Sequence, residues 1–394
     1  MADQKKIRVL RVQSRICVGG PALNTILLTA HLDPERYESK LVGGRLQPDE
    51  KTMEPFAREK GVDIEIIGEM GRSIRWWDDF AALRRLMRLI RAFRPHIVHT
   101  HTAKAGAIGR LAAFLCRVPI RVHTFHGHTF HGYFSDLVTY GFILVERVLA
   151  MLSHRIIAIS PRQREDLTKR FRVIPHRKCT VVRLGFELDR MAQGKAGKLR
   201  GELDLGPEVK LAGIIARLVP VKNHALLLEA IALWHQRQPL HQTVDVRFLF
   251  VGDGVLRARL EPQAVDLGIE DLVIFTGWRR DLADIYADLD LNIIVSKNEG
   301  TPVTLIEGLA AGVPVLSTDV GGVRDFVDED MGTVVANGAE AEEVADALQA
   351  LLARPNTRLE ASIQQRIREQ YGVARLVGDI NELYTDLLTT KNLL

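Results

Sequence analysis

The sequence has few cysteines and no long apolar run. Its three cysteines, Cys17, Cys116 and Cys179, lie far apart and none belongs to a Cys-x-x-Cys pair, so neither a disulfide framework nor a zinc site is indicated. No apolar stretch reaches the roughly 18 to 20 residues that span a bilayer. The opening MADQKKIRVL also lacks the apolar segment of a signal peptide. These absences favour a reducing, cytoplasmic setting.

Charge is unevenly distributed along the chain. Residues 1–190 contain 33 Lys and Arg against 19 Asp and Glu, whereas the remainder contains 20 against 30. A basic half can serve an anionic membrane, an anionic substrate, nucleic acid or attraction between domains. No basic motif interleaved with aromatic residues is present, so we do not expect a nucleic-acid partner.

Arginines are dense in one predicted helix within 79–93. Its apolar residues recur at helical spacing and should cover a sheet, while the arginines stay outside. This basic face is either solvated or in contact with anionic lipid, and we expect peripheral membrane contact. The arginines of this helix and its end are Arg84, Arg85, Arg88, Arg91 and Arg94.

Strand-like and helix-like segments alternate in two successive series, which predicts an α/β protein with two Rossmann-like, doubly wound parallel sheets. The first series occupies residues 1–186, and a stretch with three glycines and several cations, 187–201, is interpreted as a linker. The second series occupies 202–372, and 373–394 is a final helix expected to cross back toward the first domain. Ligands of such sheets bind beyond the carboxyl ends of the strands, so a cleft between the domains is the expected site.

The segment from Glu299 to Glu307 follows a buried-looking strand and opens a helix. Thr301 is expected to cap that helix and Pro302 to occupy its first position, which leaves backbone N–H groups near Gly300 for an anion. Glu307 could accept hydrogen bonds from the two hydroxyls of a ribose, with Glu299 at the other end of the ligand. The alternative is two solvated glutamates near a capped helix.

Two cations, Arg217 and Lys222, follow another strand end. They suit a diphosphate clamp that stabilises charge on a departing phosphate, although two surface cations are the simpler alternative. The turn Gly19-Gly20 allows close backbone approach to phosphate or sugar, but it is not a Gly-x-Gly-x-x-Gly sequence. Asp288-Leu-Asp290 resembles a metal-binding Asp-x-Asp sequence and is interpreted as structural.

Histidines at 123, 126, 128 and 131 cluster across the end of another predicted strand, 120–125, and the glycine-containing loop that follows it. A metal site is disfavoured because no carboxylate or cysteine accompanies them closely. A polar loop facing the cleft is the better interpretation, with His99 and His101 lining the same region and some of these histidines only structural.

Together these segments resemble the family 4 glycosyltransferases, which have the GT-B fold. Glu299 and Glu307 match the family's E-x7-E element, and His126-Gly127 matches its active-site histidine. The resemblance spans nearly the whole chain and is more specific in the carboxyl half. Further matching segments are Phe275-Thr-Gly277-Trp278, Gly308-Leu-Ala-Ala-Gly312-Val-Pro314, Ser317-Thr-Asp-Val-Gly321-Gly322, Gly252-Asp-Gly254 and Gly19-Gly20.

The resemblance implies a retaining transferase that needs no metal and no cofactor besides its nucleotide-sugar donor. The expected catalytic residues are His126, Arg217, Lys222 and Glu299. The expected donor-binding residues are Gly19, Gly20, Gly252, Trp278, Gly300, Thr301, Pro302, Val303 and Glu307. The acceptor-side candidates, in the amino-terminal domain, are His99, His101, Lys104, His128 and His131.

The expected donor is a UDP-sugar, with GDP as the other option. The expected acceptor is a saccharide hydroxyl, lipid-linked, in the assembly of bacterial cell-surface polysaccharide at the inner face of the membrane. The alternatives are a transferase acting on a soluble small molecule and a UDP-sugar epimerase.

Overall fold

A computed structural model describes residues 6–48, 50–71, 73–127, 136–238, 245–355 and 358–394. The chain forms two compact units, one comprising residues 1–186 with 373–394 and the other 187–372. Residues 187–201, interpreted above as a linker, group with the second unit and contain a short 3-10 helix at Asp189–Gln193.

The strands of the described residues all belong to two parallel sheets. They are β1 (Ile7–Gln13), β2 (Tyr37–Gly44), β3 (Ile64–Ile67), β4 (Ile97–His101), β5 (Ile120–Phe125), β6 (Arg155–Ala158), β7 (Cys179–Val181), β8 (Lys210–Ile215), β9 (Val246–Val251), β10 (Val273–Gly277), β11 (Leu291–Ile294), β12 (Val315–Thr318) and β13 (Gly332–Val335).

The α-helices alternate with the strands. They are α1 (Gly20–His31), α2 (Glu54–Glu59), α3 (Trp76–Phe93), α4 (Ala103–Leu115), α5 (Asp136–Leu152), α6 (Pro161–Glu165), α7 (Lys198–Glu202), α8 (His224–Gln236), α9 (Arg257–Asp266), α10 (Leu282–Asp288), α11 (Val303–Ala310), α12 (Ala341–Leu352), α13 (Ala361–Tyr371) and α14 (Val373–Thr390).

In the first unit the strand order is β3-β2-β1-β4-β5-β6-β7, with every described pairing parallel. Its central strands β1 and β4 are almost wholly buried because helices cover both faces of the sheet. One face packs against α1 and α14, and the other packs against α3 and α4. The order reverses direction between β1 and β4, which is where such sheets place a ligand.

In the second unit the order is β10-β9-β8-β11-β12-β13, again with parallel pairings throughout the described residues. Its largest apolar core joins α8, α9 and α12 to one face of the sheet. The order reverses between β8 and β11, so the loops that follow these two strands flank the expected ligand position. The predicted pair of doubly wound parallel sheets is confirmed.

Candidate functional site

The loops that follow β8 and β11 meet at the reversal point of the second sheet. The backbone N–H of Lys297 donates to the carbonyl of Val221 at 2.9 Å, which ties the two loops together. Lys222 ends a 3-10 turn in the first loop, and its Nζ contacts Oε1 of Glu299 in the second. Ser296 Oγ donates to the same carboxylate oxygen at 2.7 Å. The structure therefore brings the predicted cation and carboxylate into one ion pair.

Neighbouring loops pack closely against this pair. A Cβ on Gly252 would lie 2.0 Å from the carbonyl oxygen of Ala216, so only glycine lets the loop after β9 approach the loop that carries Arg217. The Arg217 side chain is exposed. Gly321 has φ +57° and a Cβ there would lie 2.8 Å from the Cβ of Glu299, so this glycine brings the loop after β12 against the ion pair.

The helix that carries Glu307 begins one residue later than predicted. Pro302, rather than Thr301, is the N-cap of α11, and no side chain caps it. The predicted threonine cap is wrong because the Pro302 backbone, at ψ 88°, is still outside the helical region. The first turn still offers backbone N–H groups of Val303 and its neighbours that no helix carbonyl can accept. Gly300 and Thr301 lie immediately before this turn.

Glu307 is buried, with 8% of its surface exposed. Tyr286 Oη lies 3.1 Å from Glu307 Oε2 and also 3.1 Å from the carbonyl of Thr304. Burial raises the pKa of Glu307 to about 7, although the tyrosine contact works in the opposite direction. This carboxyl therefore titrates close to neutral pH, well above the range of an exposed glutamate. Nothing in the sequence pattern singles out Tyr286 as its partner, since 21 residues separate them.

Trp278 follows β10 and is 38% exposed. The backbone N–H of Gly252 donates to the carbonyl of Gly277 at 2.9 Å, so Trp278 is held beside the loop after β9. The structure thus brings the donor-side candidates of the second unit to one edge of its sheet.

In the first unit, Gly19 caps α1 and Gly20 is its first residue. A Cβ on Gly19 would meet only a ring carbon of Pro21, at 3.9 Å. The backbone at this turn is therefore open to close approach, and its contact with a phosphate or sugar stays a prediction.

His101 and His126 form a pair at the carboxyl ends of β4 and β5. Nδ1 of His101 lies 2.9 Å from Nε2 of His126, so one ring donates and the other accepts. Burial lowers the pKa of His126 to about 3 and lowers that of His101 as well. Both rings are thus neutral at physiological pH, and one hydrogen bond joins them.

His99 lies behind this pair. It is fully buried, and its ring nitrogens lie 2.7 Å from Tyr384 Oη and 2.7 Å from Thr124 Oγ1. The His99 ring also packs 4.2 Å from the His101 ring, centroid to centroid. Through these contacts His99 holds the His101 ring in position. Tyr384 on α14 in turn holds His99, a role that no sequence pattern reveals.

Lys104 has protein partners on both sides. Its Nζ lies 2.5 Å from the Asp79 carboxylate and 2.5 Å from the carbonyl of Ser73. His128 and His131, the remaining acceptor-side candidates, lie outside the described residues. Their assignment stays a prediction.

Asp288 and Asp290 hold secondary structure together. The Asp288 carboxylate accepts from the backbone N–H groups of Gly197 and Arg200 at 2.5 and 3.1 Å, and Asp290 accepts from that of Leu211 at 2.8 Å.

Among the described residues, no group of three or more potential metal ligands is found. In the same part of the chain, no helix is long and apolar enough to cross a membrane.

Two family models match the chain. The model described as Glycosyltransferase Family 4 matches residues 18–190, and the model described as Glycosyl transferases group 1 matches residues 197–370.

The chain is 26% identical over 327 residues to the Escherichia coli UDP-Gal:alpha-D-GlcNAc-diphosphoundecaprenol alpha-1,3-galactosyltransferase, covering 81% of this chain and 83% of that protein. It is 29% identical to a D-inositol 3-phosphate glycosyltransferase of Geodermatophilus obscurus, over 66% of this chain and 59% of that protein. Among solved structures, Anabaena HepE in complex with UDP superposes with a TM-score of 0.77 at 19% identity, covering 96% of this chain and 100% of that one. This last likeness establishes a shared fold.

Proposed function

Because the chain belongs to the GT-B glycosyltransferases, with a family 4 domain followed by a group 1 domain, we propose that it moves a hexose or N-acetylhexosamine from a UDP-sugar to a saccharide hydroxyl, with retention of anomeric configuration. The observation that carries this proposal is the ion pair of Lys222 and Glu299 beside the opening turn of α11. Cations and the backbone N–H groups of a helix start, brought together at one edge of a sheet, suit the binding of a diphosphate.

This placement supports the following assignment of donor contacts. Arg217 and Lys222 neutralise charge that develops on the departing diphosphate, and the first turn of α11 adds backbone donors. Glu307 accepts hydrogen bonds from the ribose hydroxyls. Glu299 binds hydroxyls of the donor sugar once Lys222 turns toward phosphate. The base rests beside Trp278.

The chemical step uses the leaving group as its base. The acceptor hydroxyl forms a bond to the anomeric carbon on the face from which UDP departs, and its proton moves to the departing phosphate oxygen. His126 contacts the donor sugar as a neutral hydrogen-bonding ring, since its pKa is about 3. No metal is required in this scheme because protein cations balance the phosphate charge; EDTA should therefore leave activity intact.

We propose a lipid-linked saccharide as the acceptor and the cytoplasmic face of a membrane as the place of reaction. Two observations support this: the basic amino-terminal half of the chain, and the similarity to the Escherichia coli galactosyltransferase, whose acceptor is a diphosphoundecaprenol-linked sugar. A soluble acceptor is the second candidate, supported by the inositol phosphate transferases among the relatives.

A donor panel tests the proposal. We expect UDP and one UDP-sugar to raise the melting temperature, by an amount equivalent to roughly 2.7 kcal/mol at a hundredfold excess over Kd. GDP-sugars should have no effect. The selected donor is then incubated with and without saccharide acceptors, and the products are identified by mass spectrometry. An epimer formed from donor alone would refute the transferase assignment, and loss of turnover in EDTA would refute the metal-independent scheme.

A further inference from the structure

The outer face of α5 is apolar along its whole described length. The residues of this helix with exposed side chains are Leu137, Val138, Tyr140, Leu144, Val145, Val148 and Met151. Its inward residues include Ile143 and Ala150, which pack in the core of the first unit. A helix on the surface of a soluble protein ordinarily presents charged groups to water, so this face is shaped for contact with something apolar.

The apolar surface continues onto the neighbouring helix. Helix α4 packs against both α5 and α3, and exposes Leu111, Phe114 and Leu115, at 37%, 47% and 49%. The buried ion pair of Arg110 and Glu146, with oxygen–nitrogen distances of 2.8 and 3.1 Å, fixes α4 to α5. The two apolar faces therefore belong to one rigid surface.

The third helix of this layer adds aromatic and basic groups. Trp76 and Trp77 at the start of α3 are 84% and 86% exposed, and tryptophan is typical of the boundary between lipid headgroups and acyl chains. Arg84, Arg88 and Arg91 follow at helical spacing with exposed side chains. The guanidinium of Arg84 lies 5.4 Å from the ring centre of Phe80, itself 54% exposed, so aromatic and basic groups form one surface.

Charge composition identifies the occupant. Residues 76–152, from the start of α3 to the end of α5, contain ten Lys and Arg but only four Asp and Glu, and one of those four, Glu146, is buried against Arg110. Two copies of this chain meeting here would bring like charges together, whereas anionic phospholipid is complementary to them. We propose that the outer faces of α3, α4 and α5 form a membrane-docking surface, with α5 at the acyl boundary and the α3 arginines on lipid phosphates.

The inference rests on the proposed function, because a membrane-docking surface holds the enzyme where a lipid-linked acceptor is found. Membrane docking here requires no transmembrane segment, because an apolar helix face flanked by cations binds the interface. Vesicle binding can be measured without donor or acceptor, so it fails or succeeds independently of the transferase chemistry.

The test is flotation of the full chain with vesicles of phosphatidylethanolamine and phosphatidylglycerol, and with vesicles of phosphatidylcholine alone. We expect binding to the anionic vesicles that weakens with salt. Val148→Glu should reduce it at least about tenfold, because a charge would enter the acyl boundary. The matched control is Val265→Glu on α9, a valine 57% exposed against 53% for Val148, which should bind as the wild type does.

A second variant guards against misfolding. Arg84→Gln, Arg88→Gln and Arg91→Gln combined should weaken binding to anionic vesicles by about fivefold per arginine and leave the thermal transition unchanged. Equal binding by wild type and Val148→Glu would overturn the proposal. So would a wild-type dimer, seen by light scattering, that Val148→Glu dissociates, because the face would then be a subunit interface.

Discussion

At the residue scale, one carboxylate oxygen of Glu299 accepts hydrogen bonds from both Lys222 and Ser296. The lysine and glutamate side chains are 21% and 11% exposed, which strengthens their attraction relative to bulk water. A diphosphate would compete for Lys222 and release Glu299 to sugar hydroxyls. Binding of the donor would then itself bring Lys222 and Glu299 into their donor-binding positions.

We predict that Lys222→Ala lowers turnover by about a hundredfold, because the departing diphosphate loses a positioned cation. The measurement is steady-state kinetics with the donor selected by thermal shift. Lys297→Ala, in which an exposed lysine two residues before Glu299 is removed, is the control and should match the wild type. Wild-type turnover in Lys222→Ala would contradict the clamp.

Glu307 gives a second prediction at this scale, concerning pH. Its folded pKa of about 7 lies above the ordinary value of 4.5, so it stabilises the fold below pH 4.5 and that contribution is lost as pH rises through 7. Glu307→Gln should therefore gain stability relative to wild type between pH 5 and pH 8, by up to about 3 kcal/mol. Denaturant titrations at the two pH values measure this.

The same substitution separates stability from binding. The affinity of the wild type for the UDP-sugar, whose two phosphates have no proton that titrates near pH 7, should rise as pH passes through 7, because the carboxylate accepts from both ribose hydroxyls. Calorimetric titration with Glu307→Gln should give an affinity that is flat with pH. A wild-type affinity that falls with pH would refute the ribose contact.

At the scale of elements, the Arg110–Glu146 pair couples α4 to α5. Arg110 is fully buried and its charge is balanced by Glu146 alone among the described residues. Arg110→Ala should destabilise the chain by about 3 to 5 kcal/mol, since it leaves a buried carboxylate without its cation. Urea unfolding measures this loss.

The double variant Arg110→Met with Glu146→Leu is the matched comparison. It should recover most of the lost stability, because buried apolar side chains of similar size replace both charges. A double variant as unstable as Arg110→Ala would show that packing at this site, and not charge, is decisive.

At the scale of the whole molecule, the described parts of the two units differ in the number of histidines whose pKa is lowered by burial. Burial lowers the pKa of five histidines in the first unit and of His224 in the second. These groups stay neutral when folded and take up protons on unfolding, so their contribution is complete above pH 6.5 and is lost as pH falls toward 4. The five are His99, His101, His123, His126 and His154.

We therefore predict that the first unit opens before the second as pH falls from 7 to 4.5. Glu307 adds to the difference, because its protonation as pH falls stabilises the folded state of the second unit. Hydrogen exchange followed by mass spectrometry at several pH values reports each unit separately. Simultaneous loss of protection in both units would contradict the prediction.

Local sequence determined the architecture and the identity of most candidate residues. Alternation of strand and helix patterns predicts both parallel sheets, and residues that follow strand ends, such as Arg217 and Glu299, necessarily reach one edge because parallel strands all end there. That rule needs only neighbouring residues. Helix α11 starts at Val303, one residue after the predicted start at Pro302, because capping depends on backbone angles that composition does not specify.

Only tertiary structure decided which of these residues are partners. Lys222 and Glu299 are 77 residues apart, and His99 and Tyr384 are 285 apart. The sequence likewise does not predict which face of α5 is exposed, because its many apolar residues indicate only a helix. Contacts and burial at such separations are set by how sheets and helices pack together, and that packing depends on the whole chain at once.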